Sequence, residues 1–244
     1  MRRSIVLGER RIDYFHEPVA RHKGVSLLIN PQKGLLVRTG KGAGPRMIAE
    51  TLRLRADWIL TNLDKLAALG LPPTPREYGE GTVLPLQDQQ LTLRLLMSSG
   101  GKAWISCREN QLTAGVPHEF DLTERRFILL ELLKSWYLTQ ARRILPGRVE
   151  HFCSRLGLAV PAVKFSRQAQ SRWGSCNSAG VIRLSWRLML MPAYLSDYVA
   201  AHEVCHLRHL NHSPAFWQLL EGLLPGAHEL RGVLNRQGPF YDLY

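Results

Sequence analysis

The residues best suited to chemistry lie in one stretch, HEVCHLRHLNHSPAFW, from His202 to Trp217, which carries four of the chain's nine histidines and one glutamate. On a helix, His202 and His206 are one turn apart and nearly in line, so both imidazoles can reach a single ion from one face. Glu203 cannot join them as an equal ligand. Its carboxylate is placed instead to take a proton from metal-activated water, the general-base role in the HExxH pattern. A catalytic zinc takes three protein ligands and keeps a fourth position open, so a third ligand is required. His209 shares the face, but on a continuous helix it lies about 10 Å from His202, and three side chains in a line do not converge tetrahedrally. His212 is the better third ligand. If the helix ends near Asn211 and the chain turns back, His212 arrives from another direction, and its offset from His206 equals that in HExxHxxGxxH. His209 occupies the glycine position of that longer pattern, and Asn211, which tolerates a left-handed backbone, is expected to make the turn. His209 is expected beside the ligands or at the surface, not on the metal.

Other reactive side chains carry weaker signals. Cys205 lies inside the motif but about 100° round the helix from either ligand, as a small buried residue would. Cys107 and Cys153 read the same way, and the four cysteines form no CxxC pair, which suits a reducing cytoplasm. His228, in GAHELRGVL, is either structural or a group that orients a transition-state oxyanion. Tyr194 and Tyr198 share one helix face ahead of the motif.

Stepping outward along the chain, IDYF, VSLLIN and GLLVR read as a small antiparallel sheet, the last two joined by the turn Asn30 to Gly34. From Pro45 the apolar positions Ile48, Leu52, Ile59, Leu63 and Leu66 predict one amphipathic helix, closed by Gly70 and the loop Pro72 to Pro75. VLPLQ, QLTLRLLM and KAWISC read as further strands. From Asp121 an apolar stripe through Phe127, Leu130, Leu133, Tyr137 and Ala141 predicts a long helix that Pro146 and Gly147 interrupt, with helix resuming to about Leu156. VKFS begins a strand, and a hairpin turning at Asn177 to Gly180 returns through VIRLSW. Pro192 opens the motif helix, and Ser213-Pro214 opens another that carries Phe216, Trp217 and Leu220. The pattern is α+β, with a β-rich region over residues 1–118 and a hydrolase domain over 119–244, divided between Gly115 and Asp121.

Composition limits the function classes. An apolar fraction of 45% indicates a buried core and excludes a disordered chain. A net charge of +12 and a pI near 10.0 favour anionic partners, whether nucleic acid, nucleotides or acidic protein surfaces. The basic residues are dispersed, however, and a solvated arginine-rich surface explains them equally well. No apolar run reaches the roughly 18 residues of a membrane span and the N-terminus has no apolar targeting core, so no membrane association and a cytoplasmic location are expected.

Together, SRWGSC (Ser171 to Cys176), VIRLSWRLMLMP, YVAAHEVCHLRHLNHSPAFW and the terminal PG...LRG resemble the YgjP-like metallopeptidase family, itself similar to the WLM and SprT-like zinc proteases. The N-terminal half resembles that family's β-rich region, with ADWI at Ala56 to Ile59 and ARHKGVSL as a reduced basic run. The resemblance implies a zincin-like fold with a sheet against the motif helix. It also implies zinc on His202, His206 and His212, Glu203 as the catalytic base, and a protein or peptide substrate. Arg172 or the nearby backbone is then implied to contact substrate. The alternative for this segment makes Trp173 a core anchor and Gly174 a bulge.

Two rival readings keep the metal. One is a zinc-dependent hydrolase of nucleotide phosphoanhydrides, although the chain has no phosphate-cradling glycine loop. The other is a zinc-stabilised module that binds protein or nucleic acid without catalysis, which requires a fourth protein ligand and leaves Glu203 without a role.

Overall fold

The computed structural model describes residues 2–19, 24–30, 34–40, 42–68, 78–166, 172–238 and 241–243. The turn centred on 31–33, the stretch 20–23, the loop Pro72 to Pro75 with Gly70, the Leu66 side chain and Ser171 lie outside the described residues. The chain forms two compact units, Met1–Glu77 and Tyr78–Leu243.

In the first unit, β1 (Arg2–Leu7), β2 (Arg10–Pro18), β3 (Val25–Asn30) and β4 (Gly34–Thr39) form one sheet in the order β1-β2-β4-β3. The sheet is mixed, not antiparallel as expected, because β4 rather than β3 lies beside β2 and runs parallel to it. Leu7, Ile12, Tyr14, Leu35 and Val37 alternate onto one face and pack under two helices. These are α1 (Pro45–Leu54) and α2 (Ala56–Ala68), separated at Arg55, where ψ of 19° leaves the helical range. A straight helix over 45–68 would run about 36 Å, against about 20–30 Å for strands of this length. The break keeps Ile48, Leu52 and Ile59 in the same core.

In the second unit, β5 (Val83–Leu86), β6 (Gln89–Ser98), β7 (Trp104–Arg108) and β8 (Gln111–Pro117) form a sheet in the order β5-β6-β8-β7. Strand β8, QLTAGVP, carries too few large apolar residues to stand out in the sequence. The helix α3 (Leu122–Arg155) opens with a capping box in which the Glu124 amide donates to Asp121 Oδ1 at 2.8 Å and the Asp121 amide donates to Glu124 Oε2 at 3.0 Å.

Pro146 does not interrupt α3. Proline inside a helix costs about 3 kcal/mol, but Leu145 and Val149 on either side are fully buried, and their packing outweighs the lost hydrogen bond. Of the expected stripe, Leu133, Tyr137 and Ala141 are buried and Leu130 partly so, whereas Phe127 is exposed. Leu129 and Leu133 share one core with Leu93, Leu112 and Ala114 of the preceding sheet. The expected division at 118/119 therefore falls inside one packed body, and the compact units part at Glu77 instead.

A third sheet, in the order β10-β11-β9, joins β9 (Val163–Ser166), β10 (Gly174–Cys176) and β11 (Ile182–Ser185). Its hairpin turns where Asn177 Oδ1 accepts from the Val181 amide at 2.8 Å, with Gly180 at φ +73°. Gly174 pairs in register with Leu184, so it is a ladder residue and not a bulge. A short 3₁₀ turn (Trp186–Leu190) leads to α4 (Ala193–Cys205), α5 (Pro214–Leu223) and α6 (Ala227–Gln237).

Helix α4 packs against α3, β10, α5 and α6. Its first turn is fixed from the β5–β6 turn, where Asp88 accepts the Ala193 amide at 3.0 Å and Gln87 bridges Ser196 and Arg148. Arg148 pairs in turn with Asp197 on α4. The fold is thus α+β, with the motif helix at the centre of the second unit. Among the described residues, no helix is long and apolar enough to cross a membrane.

The C-terminal segment braces the same region. Arg187, only 9% exposed, pairs with Asp242 at 3.0 Å and lies 4.2 Å over the Trp173 ring, directly before β10. Removing one partner of a buried ion pair typically costs about 3–5 kcal/mol. We expect Asp242→Ala to lower the unfolding free energy by about 3 kcal/mol in denaturant titrations, within that range. Replacing the exposed Asp64, paired with Arg10 at the surface, should change it by less than about 1 kcal/mol.

Candidate metal centre

Helix α4 ends at Cys205, five residues before the expected stop, with His206 as its cap. The chain then tightens through hydrogen bonds from the Leu207 amide to Val204 O and from the Arg208 amide to Cys205 O. Arg208 reaches the Leu156 carbonyl just past α3 at 2.6 Å, which draws the backbone off the helix axis. His209 is therefore not on the helix. Its carbonyl faces His206 Nδ1 at 2.9 Å, and its side chain lines a groove of about 520 Å³ with Arg155, Gln218 and Leu219 that holds none of the other motif histidines. Asn211 does not adopt the left-handed backbone expected of it. It turns the chain with its side chain, Oδ1 accepting from the Ser213 amide at 3.3 Å.

The early end brings His212 back over the helix. One ring nitrogen or more from each of His202, His206 and His212 lies in a cluster within 4.8 Å, and His202 Nε2 stands 3.0 Å from His212 Nε2. Two nitrogens on one tetrahedral zinc are about 3.3 Å apart, so these residues fit such an ion with little movement. The hydrogen bond from His206 Nδ1 to the His209 carbonyl leaves its Nε2 free to ligate. Among the described residues, no fourth histidine, cysteine, aspartate or glutamate joins the cluster. Cys205 is buried and its thiol is pushed up to about 12, as a non-ligating residue. Cys107, Cys153 and Cys176 are likewise free.

Phe216, fully buried on α5, forms the floor of the site, with its ring 5.0, 4.7 and 4.8 Å from those of His202, His206 and His212. Tyr198, one turn before His202, closes another side at 5.9 Å. Trp217 lies 6.4 Å from His202 and 6.2 Å from His212, and His228 stacks on it at 4.3 Å. The sequence shows Phe216 and Trp217 on the helix that SPAFW opens to fix where His212 points, but not their contacts with the ligands. Their offset from His212 within SPAFW was the available signal.

Glu203 is buried, and its Oε2 has no hydrogen-bond partner. A buried carboxylate oxygen left unpaired is costly, which points to an occupant in the cleft that it meets. Gly174 of β10 lies so near that a Cβ there would stand 2.5 Å from Glu203 Oε1. Burial raises the Glu203 carboxyl to about 8, with Arg172, exposed at the start of β10, pulling the other way. Burial first, then His206, His212 and Arg231, lower His202 to about 3, so its imidazole is neutral at physiological pH, as a metal ligand must be.

These shifts set the pH course of the metal-free protein. His202 contributes stability above its unfolded value of 6.5 that is lost as pH falls toward about 3. Glu203 runs the other way, with its contribution complete below 4.5 and lost as pH rises through about 8. The slopes oppose between those unfolded values and leave the Glu203 loss alone above about 6.5. Between about pH 6.5 and 8 the metal-free chain should lose about 2 kcal/mol, and Glu203→Gln should not, as urea titrations in chelator would show.

An α+β protein with a three-histidine cluster that could hold a metal at the end of its motif helix is the class that fold and geometry define. Residues 23–237 match the family described as YgjP-like, metallopeptidase domain, and the chain belongs to that family. The match runs through both compact units. Among solved structures the chain is similar to the metallopeptidase zymogen of Pyrococcus abyssi abylysin, at 22% identity and a TM-score of 0.35. That similarity covers 39% of this chain and 96% of the other, so most of this chain has no counterpart there. A comparison with the curated proteins gives no match.

Proposed function

We propose that the chain is a zinc-dependent peptidase in which His202, His206 and His212 hold the metal and Glu203 is the general base. The observation that carries this reading is the pairing of a compact three-imidazole cluster with a buried carboxylate whose Oε2 has no partner. Bound there, zinc supplies Lewis acidity toward a carbonyl and toward water. With a divalent cation on the imidazoles, the Glu203 carboxyl is drawn down from its metal-free value of about 8, so that its Oε2 accepts the proton from the attacking water and delivers it to the leaving amine. Exposed His212 and half-buried His202 leave the cluster open on its solvent side, while Phe216 excludes water beneath it.

A peptide substrate is favoured by β10. Among the described residues it pairs with β11 alone, so its outer edge offers backbone groups beside Glu203 to an extended chain. The net charge of +12 supports a further role for nucleic acid or nucleotides as recruiting partners, and the four free cysteines suit a reducing, cytoplasmic setting. The test is a side-by-side assay of the zinc-loaded protein on unfolded protein, with and without DNA, and on nucleoside triphosphates. Proteolysis that chelator abolishes is the expected result. Phosphate release without proteolysis would replace this reading with phosphoanhydride hydrolysis, and neither activity would leave a metal-stabilised binding module.

A further inference from the structure

Arg231 sits in the LRG segment, which the proposed chemistry leaves unused. Helix α6 places His228 and Arg231 one turn apart, and both meet Trp217. His228 stacks on the ring at 4.3 Å, and the Arg231 guanidinium lies 5.1 Å from its centroid. The same ring lies 6.2 Å from His212. Arg231 is exposed and, among the described residues, makes no hydrogen bond or ion pair. Four of the other arginines of this unit are committed: Arg148 to Asp197, Arg155 to the Leu223 carbonyl, Arg187 to Asp242 and Arg208 to the Leu156 carbonyl.

Arg231 is therefore oriented by an aromatic face but has no anion. Its guanidinium stands beside the cluster, over a ring whose centroid is 6.2 Å from that of His212. A carboxylate on a substrate seated at the cluster would supply that anion. A donor to the reacting oxygen must stand about 2.7–3.1 Å from it, whereas Arg231 is held 5.1 Å from the centroid of a ring that is itself 6.2 Å from His212. That spacing suits a group displaced along an extended chain, which advances about 3.3 Å per residue.

We infer that Arg231, held on Trp217, forms a subsite for a carboxylate of the substrate one or two residues from the scissile bond. Resting on the peptidase reading, this deepens it by naming the substrate class: peptides that present an acidic side chain or their C-terminal carboxylate at that position. The guanidinium offers a planar pair of donors to such a group.

The test uses zinc-loaded Glu203→Gln protein, so that binding is read without turnover. Fluorescently labelled peptides of one length carry glutamate, glutamine or lysine at each position flanking a shared core, with the C-terminus free or amidated, and binding is followed by anisotropy. One of the carboxylate-bearing peptides should bind about tenfold more tightly than its amide counterpart. Comparison of side-chain and terminal carboxylates identifies the source. Adding Arg231→Glu should abolish that preference and favour lysine, while Arg231→Lys should keep part of it. Equal affinities across the peptides, or a preference unchanged by Arg231→Glu, would overturn the subsite. So would a wild-type background in which Arg231→Glu lowers kcat equally for every peptide and leaves KM alone. Arg231-dependent binding by a protein that cleaves no peptide would uphold the subsite and sink the peptidase reading. Cleavage indifferent to charge would do the reverse.

Discussion

Glu203→Gln protein should fold, bind metal as the parent does, and hydrolyse peptides about a thousandfold more slowly, within the range that a general base contributes. The substitution preserves the volume of a buried side chain and adds no charge to its surroundings. The metal cluster is made by histidines alone, so metal content should not change. On the proposed reading, what disappears is the buried Oε2 that takes a proton from water. Steady-state kcat/KM, with metal measured on the same preparation, checks both halves of this expectation. Activity within tenfold of the parent would remove Glu203 from the reaction.

Gly174→Ala should have the next largest effect although it touches no ligand. A Cβ at this position would stand 2.5, 2.7 and 2.9 Å from Glu203 Oε1, Cγ and Cδ, all closer than carbon contacts allow. The backbone there is ordinary extended strand, so the cost arises from the space the side chain takes and not from a strained φ. The Glu203 carboxylate must move, and a displacement of about 1 Å can cost a hundredfold in rate. We expect kcat/KM to fall by about a hundredfold with metal retained, and stability to fall by about 1–3 kcal/mol, as in overpacked cores. In a Glu203→Gln background the same substitution should lose most of its effect on rate, because the group it displaces no longer works. Equal losses in both backgrounds would make Gly174 merely structural.

The contrast between these residues shows which parts of the site sequence could reveal. His202, Glu203 and His206 are related by helix geometry alone, which five residues of sequence specify. His212 was accessible through its offset, although the turn that delivers it differs from the one expected. The sequence pattern placed that turn at a left-handed Asn211, whereas α4 stops at Cys205 and Arg208 is drawn to a carbonyl 52 residues away. No local pattern encodes that contact. Gly174 and Arg231 stood out only as members of SRWGSC and LRG for the same reason, since what each does depends on a partner on another element.

The fold shows the same limit. Short apolar runs revealed most strands, and the apolar stripe that follows Asp121 marked where α3 begins. Pairing order is a tertiary property, so the parallel neighbours β2 and β4 were not legible. Pro146 remained helical because buried neighbours overrode its propensity. The boundary near residue 118 followed a shift in composition, but α3 and the sheet before it bury one another's apolar faces.

The three-histidine centre is tested most directly by the divalent metal bound per chain in the parent protein, His212→Ala and His209→Ala, purified alike and measured by elemental analysis. About one equivalent is expected in the parent and in His209→Ala, with loss of most of the metal in His212→Ala, as removal of one of three ligands predicts. Metal retained in His212→Ala and lost in His209→Ala would contradict the assignment and return the third position to the residue whose carbonyl, in this structure, faces His206.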